Sequence, residues 1–535
     1  MAIKRYKADA NNTIVNAFQP NLTKRGTGSN AGAADVLETF SIYGRQTTSS
    51  AELSRILVKF PISDLSTDRT AGTIPASGSV SFYLRLYDAK SSQTVPTDYK
   101  LLVNAVSQSW QEGDGLDLEG YTDLTKGNIG SNWMSASNTT VWTDISNALR
   151  CGGSYITGGA VAGVVNTEIF TFTQSFSTGL EDMELDITPL VEQWIAGTYS
   201  NYGVGVHLSS SYEASSSIST LDPTNPATNG LSNDAGILMN VSGATVSYYT
   251  KRFFGRGSQF FFKRPVLEAR WDSIRRDDRG NFFYSSSLAT SADNLNTLFL
   301  YNYVRGSLIN IPAIGTGEIY IDLYSGSVDN TVASGSILSQ SNPNMYTTYA
   351  TGGWIATGIY TCSVCLTAAA TPLTTVYDVW HNGSGSQYFT GTVEPMVLRA
   401  GEIANRPVYY MNITNMRDKY RSNENARFNL YVRDKYWNPT VYTKAVSTPT
   451  TTTIPSASYR VYRILDGYEA IAYGTGSDLN TGLSYDLSGN YFNLDMNLLQ
   501  PGYAYAVKFA FYDPELVSWV EQEDVFKFRV EDYEY

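Results

Sequence analysis

Histidine is almost missing from this chain: His207 and His381 are the only two among 535 residues. A Ser-His-Asp triad or a histidine-ligated metal is hard to assemble from two imidazoles so far apart. His207 lies in Val204-Gly-Val-His-Leu208 and reads as a strand histidine with its hydrogen bonds satisfied, while His381, in Trp380-His-Asn-Gly383, reads as a turn residue. Cysteine is equally scarce. Cys151, Cys362 and Cys365 are an odd number without the pattern of a disulfide framework. Cys362-Ser-Val-Cys365 has C-x-x-C spacing, but in a strand-like run i and i+3 point to opposite faces, so a small buried hydrophobe is the expected role.

Charge is sparse too, at 16% of residues against roughly 25% in ordinary domains. The net charge is −12 and dense basic residues are confined to one segment, which removes the electrostatic footprint of a nucleic-acid binder. No run approaches the ~20 apolar residues of a membrane span. The opening Met1-Ala-Ile-Lys-Arg-Tyr-Lys-Ala-Asp9 has basic residues with no apolar stretch behind them, so neither a membrane nor a secretory leader is expected.

What fills the gap is Ser, Thr, Asn, Gly and 39 tyrosines, residues suited to pleated surfaces and turns. The class expected is all-β, and the length calls for several cores. Residues 1–272 hold many short alternating runs, such as Arg55-Ile-Leu-Val-Lys-Phe60 and Val80-Ser-Phe-Tyr-Leu-Arg-Leu-Tyr87, spaced as in a jelly-roll β-sandwich. Arg275-Arg-Asp-Asp-Arg279 follows as a polar break. Residues 281–400 predict a smaller immunoglobulin-like β-sandwich, and residues 404–535 a C-terminal one, with clear alternation in Arg427-Phe-Asn-Leu-Tyr-Val-Arg433. The Pro- and Thr-rich Thr448–Ser456 reads as a loop inside that last block.

One helix stands out. Asp186 or Thr188 can cap it, Pro189 suits its first turn, Leu190, Val191, Trp194 and Ile195 share one apolar face, and Gly197 stops it before the strand at 203–208. Together with Ser54-Arg-Ile-Leu-Val-Lys-Phe-Pro-Ile-Ser63 and Val106-Ser-Gln-Ser-Trp-Gln-Glu-Gly113, this element resembles the DNRLRE-type domain. Pro61 departs from that family's usual acidic residue, and there is an insertion around 113–165. The resemblance implies a jelly roll of the kind found in bacterial surface and phage proteins. The closing Phe253-Phe-Gly-Arg-Gly through Trp271 is similar to segments of tailed-phage virion proteins.

Candidate sites are few. Glu112, Asp114, Asp117 and Glu119 crowd one loop, which suits a solvated turn, oxygen ligation of calcium, or a glycosidase acid pair; the loop lacks the terminal acid of an EF-hand. No other cofactor is implied. Trp133, Trp142 and Tyr121 lie in the insertion and are the aromatic residues expected to stack on a glycan, whereas Trp110 and Trp194 are expected in the core. The expectation is a non-enzymatic accessory protein on the exterior of a tailed-phage virion, made in the host cytoplasm. It would be a head decoration or fibre, a neck or collar part, or a tail component, and its partners would be other virion proteins and further copies of itself. The second reading is an adhesin for a host surface glycan or receptor. A depolymerase ranks third, lacking β-helix repeats.

Overall fold

Alternating apolar residues carry most of the chain into strands. The computed structural model describes residues 2–17, 28–43, 51–91, 94–116, 129–138, 140–144, 147, 149–156, 170–213, 247–325, 337–342, 345–347, 349–367, 373–396, 407–438, 441 and 451–533. At 47% strand and 7% helix, the protein is all-β, built from several β-sandwich domains. Contacts divide it into two units, Ala2–Asp272 and Ser273–Tyr535.

In the first unit, Ile3–Lys7, Val266–Arg270, Ser81–Leu86 and Met183–Asp186 lie side by side in that order, all antiparallel. The opening and closing strands are thus neighbours, and Trp271 N–H donates to Ala2 O (3.0 Å) beyond the ladder. A second sheet runs Thr171–Phe176, Tyr99–Val106, Val204–Leu208, Ala51–Lys59, Val36–Tyr43, Tyr249–Phe254, and Ala10–Val15 also pairs with Ala51–Lys59. Side chains alternate between faces along a strand. Phe82, Leu84 and Leu86 therefore all enter the core, where they join Ile56, Val58, Leu101, Val103, Val204 and Val206.

Ala51–Lys59 is apolar on both faces. Ile56 and Val58 belong to the sandwich core, whereas Leu53 and Leu57, four residues apart on the opposite face, belong to a separate cluster with Trp133 and Trp142. The insertion supplies that second cover.

The helix Thr188–Ile195 forms as its sequence predicts. The Asp186 carboxylate accepts from the Thr188 N–H (2.9 Å) and hydroxyl (2.5 Å), and the Thr188 oxygen in turn accepts from Phe82 N–H (2.7 Å), tying the helix start to a strand. Leu190, Val191 and Trp194 enter the core. Beyond it, Asn201 donates to Phe60 O (2.7 Å) and accepts from Gly203 N–H (3.0 Å). A Cβ on Gly203 (φ +79°) would stand 2.2 Å from Val58 O, so glycine is required there. A second helix, Ile62–Thr70, buries only Leu65 and is fastened through Arg69 to Glu192 by two hydrogen bonds (2.7 and 3.1 Å).

The outer face of the four-stranded sheet carries a buried charge cluster. Glu268 is 2% exposed and is bonded by Arg5 (2.5 Å), Arg85 (3.2 Å) and Arg270 (2.7 Å) from its own and flanking strands. Burial alone would raise its pKa, but the three guanidiniums win and hold the carboxyl well below the usual range. A carboxylate with a depressed folded pKa stabilises above its unfolded pKa and loses that contribution as pH falls. Glu268→Gln should lower stability by about 3–5 kcal/mol at pH 7, the cost of removing one partner from a buried ion cluster. Urea unfolding at pH 7 and pH 3 checks it: the penalty should shrink at the lower pH.

In the second unit, Asn296–Tyr301, Ile359–Val364, Tyr349–Ala356, Glu318–Ser325, Val376–His381 and Gln387–Val393 form one antiparallel sheet in that order. It encloses Phe282, Leu298, Ile319, Ile321, Leu323, Tyr360 and Trp380. Cys362 joins this core as a free thiol pushed up to about 12 by burial, and Cys365 is buried and free as well. Residues 409–531 contribute two more sheets, one of Tyr409–Ile413, Asn425–Asp434, Gly489–Asp495 and Ser484–Asp486, the other centred on Ala504–Asp513 between Ala457–Arg463 and Phe526–Glu531. Their core is aromatic: Phe492 stacks on Tyr459 (4.3 Å between centroids) and on Phe428 (5.0 Å). Thr452 N–H donates to Val432 O (2.7 Å), which keeps the described end of the Thr/Pro-rich stretch inside this block as a loop.

The supposed polar break at 275–279 is instead a strut within this unit. Tyr485 exchanges backbone bonds with Arg275 (2.9 Å) and Asp277 (3.0 Å), and its hydroxyl donates to Asp278 (2.8 Å). Asp278 also accepts from Thr297 N–H (2.7 Å). Arg279 forks onto Asp378 with two bonds of 2.7 Å, and Asp378, fully buried, accepts from the Trp380 indole (2.8 Å). These charges read as a polar break in the sequence because their partners lie far along the chain. Burial raises Asp277 to about 7. An acid with a raised folded pKa holds its proton longer when folded, so stability falls as pH rises from about 4 to about 7. Asp277→Asn keeps an acceptor for Arg279 N–H, and it should shrink the stability difference between pH 5 and pH 8 by on the order of 2 kcal/mol in urea titrations. An unchanged difference would place the titration elsewhere.

Candidate functional site

The structure corrects the glycan platform expected at Trp133 and Trp142. Both rings are fully buried, packed with Ile14, Leu53, Leu57, Val106, Met134 and Cys151 against the outer face of the second sheet. Trp142 donates its indole N–H to Asn132 O (2.8 Å), and Trp133 lies under the Arg55 guanidinium (5.4 Å). Neither ring is open to a sugar, because both are buried against the apolar face of Ala51–Lys59. Tyr121, Asp117 and Glu119 fall outside the described residues.

Glu112 is not a free calcium ligand either. It takes two bonds from Arg256 (2.7 and 2.6 Å) and one from Asn11 N–H (2.8 Å), pinning the loop to the segment after Tyr249–Phe254. Asp114 stands near it in sequence with one buried carboxylate oxygen lacking a donor. Among the described residues, no three metal-ligating side chains gather in one place.

Arg55 falls between Leu53 and Leu57 on the covered face, so the insertion buries a guanidinium. Glu213 answers it with two bonds (3.0 and 2.9 Å), and Gly152 O accepts a third (3.0 Å). The Tyr155 ring lies 5.7 Å from the same guanidinium and 5.3 Å from His207. His207 Nε2 meets Asn104 Oδ1 (3.0 Å) and Nδ1 meets Leu208 O (2.8 Å). Burial first and Arg55 second lower His207 to about 4, while burial pushes the Cys151 thiol up to about 12. At neutral pH the imidazole is uncharged and the thiol protonated. This cluster is therefore a support for the insertion, not a set of groups tuned for nucleophilic or acid–base work. The sequence carried one signal for it, a lone arginine inside an apolar strand.

A different feature is turned toward solvent. In the second unit, the short hairpin Tyr303–Leu308 turns through Arg305 (φ +52°) and Gly306 (φ +84°), the two positive dihedrals of a tight two-residue turn. Asn302 fastens its base, receiving Ile309 N–H (3.1 Å) and donating its side-chain amide to Ile309 O (2.6 Å). The turn joining Tyr349–Ala356 to Ile359–Val364 abuts it: Asn302 N–H donates to Gly358 O (2.8 Å), and Asn310 Oδ1 accepts from both Gly358 N–H (2.7 Å) and the Trp354 indole (3.1 Å). A Cβ on Gly358 would lie 2.7 Å from Ile309 N, so the two turns approach as closely as glycine permits. This bonded pair of turns presents Tyr303 (61% exposed), Val304, Ile309, Trp354 (39%) and Ile355 to solvent. Exposed apolar side chains gathered on two bonded turns make this tip a candidate interaction surface. It was missed in the sequence because Asn310, which holds Trp354, lies 44 residues away from it.

No family model matches the chain, and no curated protein matches it. Among solved structures, one described as tandem Ig repeats of Dlar aligns over 41% of this chain and 92% of its own, at 8% identity and a TM-score of 0.13. So loose a superposition adds nothing to the architecture above.

Proposed function

We propose that the protein is a non-enzymatic accessory component of a tailed-phage virion, acting by protein–protein assembly through its β-domains. The observation that carries this reading is the bonded apolar tip at Tyr303, Val304, Ile309, Trp354 and Ile355, whose exposure has no use within the fold. The buried acid–base groups of the first unit support it from the other side, because they are consumed in ion pairs or shifted away from neutral-pH chemistry. The resemblance of the first unit to DNRLRE-type domains points to the same setting. Attachment of further virion proteins, or of more copies of this chain, would cover the tip.

The test uses virions carrying either the wild-type chain or a Tyr303→Asp, Trp354→Asp double variant. Wild-type chain should appear in purified particles at a fixed copy number. The double variant should be folded by circular dichroism yet incorporated at least about tenfold less, since hot-spot aromatics each contribute about 2 kcal/mol or more. Absence of the wild-type chain from particles, or equal incorporation of the variant, would contradict the proposal.

A further inference from the structure

In the second unit, Tyr409–Ile413 is the end strand of its sheet and, among the described residues, pairs with Asn425–Asp434 alone. Lys435 N–H donates to Val408 O (2.7 Å) and Thr414 N–H to Asn429 O (3.0 Å), which puts the even-numbered residues of the strand in the bonded positions of the ladder. The backbone groups of Tyr409, Met411 and Ile413 therefore point to the open edge. Met416 N–H reaches Ile413 O (3.4 Å), but the amides and carbonyls of Tyr409 and Met411 have no partner among the described residues. Such an edge is ordinarily guarded by charge, proline or a bulge. Ile3–Lys7 carries Lys4, Arg5 and Lys7, and Met183–Asp186 carries Glu184 and Asp186, whereas Tyr409–Ile413 has no charge and no proline, and its register is unbroken. Its inward row is apolar, with Met411 and Ile413 buried and Tyr409 set against Phe511 (5.5 Å between centroids).

The outward row says what an added strand would carry. Tyr410 (47% exposed) lies opposite Arg433, whose guanidinium is 5.0 Å from the Tyr410 ring and 5.3 Å from that of Trp437 (41% exposed). Arg427, Arg460 and Arg463 of the same block each reach a carboxylate. Among the described residues Arg433 reaches none: its Nε is closed off without an acceptor, while its terminal nitrogens keep access to solvent. A guanidinium held on aromatic rings with open nitrogens is complementary to a carboxylate, which it can bond with both prongs. We propose that Tyr409–Ile413 takes an extended segment of a partner protein as an added antiparallel strand, with a glutamate of that segment beside Tyr410 and bonded to Arg433. The two side chains start two strand spacings apart, about 10 Å, a gap that an arginine and a glutamate extended toward each other close. Main-chain bonds to Tyr409 and Met411 give the affinity, and Arg433 gives the choice of sequence. This edge is separate from the tip at Tyr303 and Trp354, and its test reads peptide binding and not particle incorporation, so the inference and the assembly reading fail independently.

The probe is a fluorescent nonapeptide that alternates threonine and valine with one central glutamate, so that valines face the core and the acid faces outward. Titrated against the full chain, it should bind with a Kd of about 0.1–1 mM. The same peptide with glutamine at its centre should bind at least about fivefold more weakly, the loss of a hydrogen bond between charged groups. N-methylation of the valines removes the bonding amides and should abolish binding. Arg433→Gln breaks no ion pair and should make the glutamate and glutamine peptides bind alike. Hydrogen-exchange mass spectrometry locates the site: amides of residues 408–414 should exchange quickly in the free chain and slow when the glutamate peptide is saturating. The inference is overturned by no binding of the glutamate peptide at about 2 mM, above the expected Kd, by equal binding of the two peptides to the wild-type chain, or by protection that appears away from this strand. Slow exchange there in the free chain, lost on dilution, would overturn it as well, because the edge would then be closed by a second copy.

Discussion

The strand Ala51–Lys59 is the constraint on which the first unit depends. A strand with apolar residues on both faces cannot end at the surface of a two-layer sandwich, since its second face would meet water. Ile56 and Val58 are satisfied by the opposing sheet, and Leu53 and Leu57 are covered by a cluster to which the insertion brings Trp133, Trp142 and Met134. Everything else on that face follows from this need. Arg55 is trapped between the two leucines, Glu213 is recruited to neutralise it, and His207 and Cys151 are shifted by the same burial.

Charge is handled in the same way throughout. The chain has few charged residues, and several of those few are placed where water is excluded: Arg55 with Glu213, Glu268 among three arginines, Lys251 with Asp88, Arg279 with Asp378. Buried pairs of this kind add little net stability over an apolar replacement, but breaking one is costly. Each joins positions far apart along the chain, from Arg55–Glu213 within the insertion's cover to Arg279–Asp378 in the strut of the second unit. They act as registration devices for chain segments that hydrophobic contact alone would leave free to slide.

This explains what was legible beforehand and what was not. The helix at 188–195 could be read because its signals are local: a carboxylate at Asp186, proline in the first turn, an apolar stripe, a glycine stop. The helix at 62–70 could not, because it buries Leu65 alone and leaves no stripe. Strand alternation identified the all-β class and most strands. Trp133 and Trp142 were misread as a glycan platform because an insertion rich in Gly, Asn and Ser looks like exposed loop, and the surface that needs them, Leu53 and Leu57, lies some eighty residues earlier. Glu112 was misread for a similar reason, its partner Arg256 being 144 residues distant. The apolar tip left no mark because single exposed aromatics are ordinary, and the bonds that bring the two turns together join residues far apart in sequence.

The central claim is that the insertion is a structural cover whose tryptophans are consumed in burial. Hydrogen exchange of the Trp142 indole N–H, assigned by the resonance lost in Trp142→Phe, tests it most directly. That proton is donated to Asn132 O inside the cluster, so it should exchange as slowly as the most protected amides of Ala51–Lys59, opening only with the unit itself. Exchange at the rate of a solvent-exposed indole, with the sheet amides still protected, would mean that the face is bare and the account of the first unit is wrong.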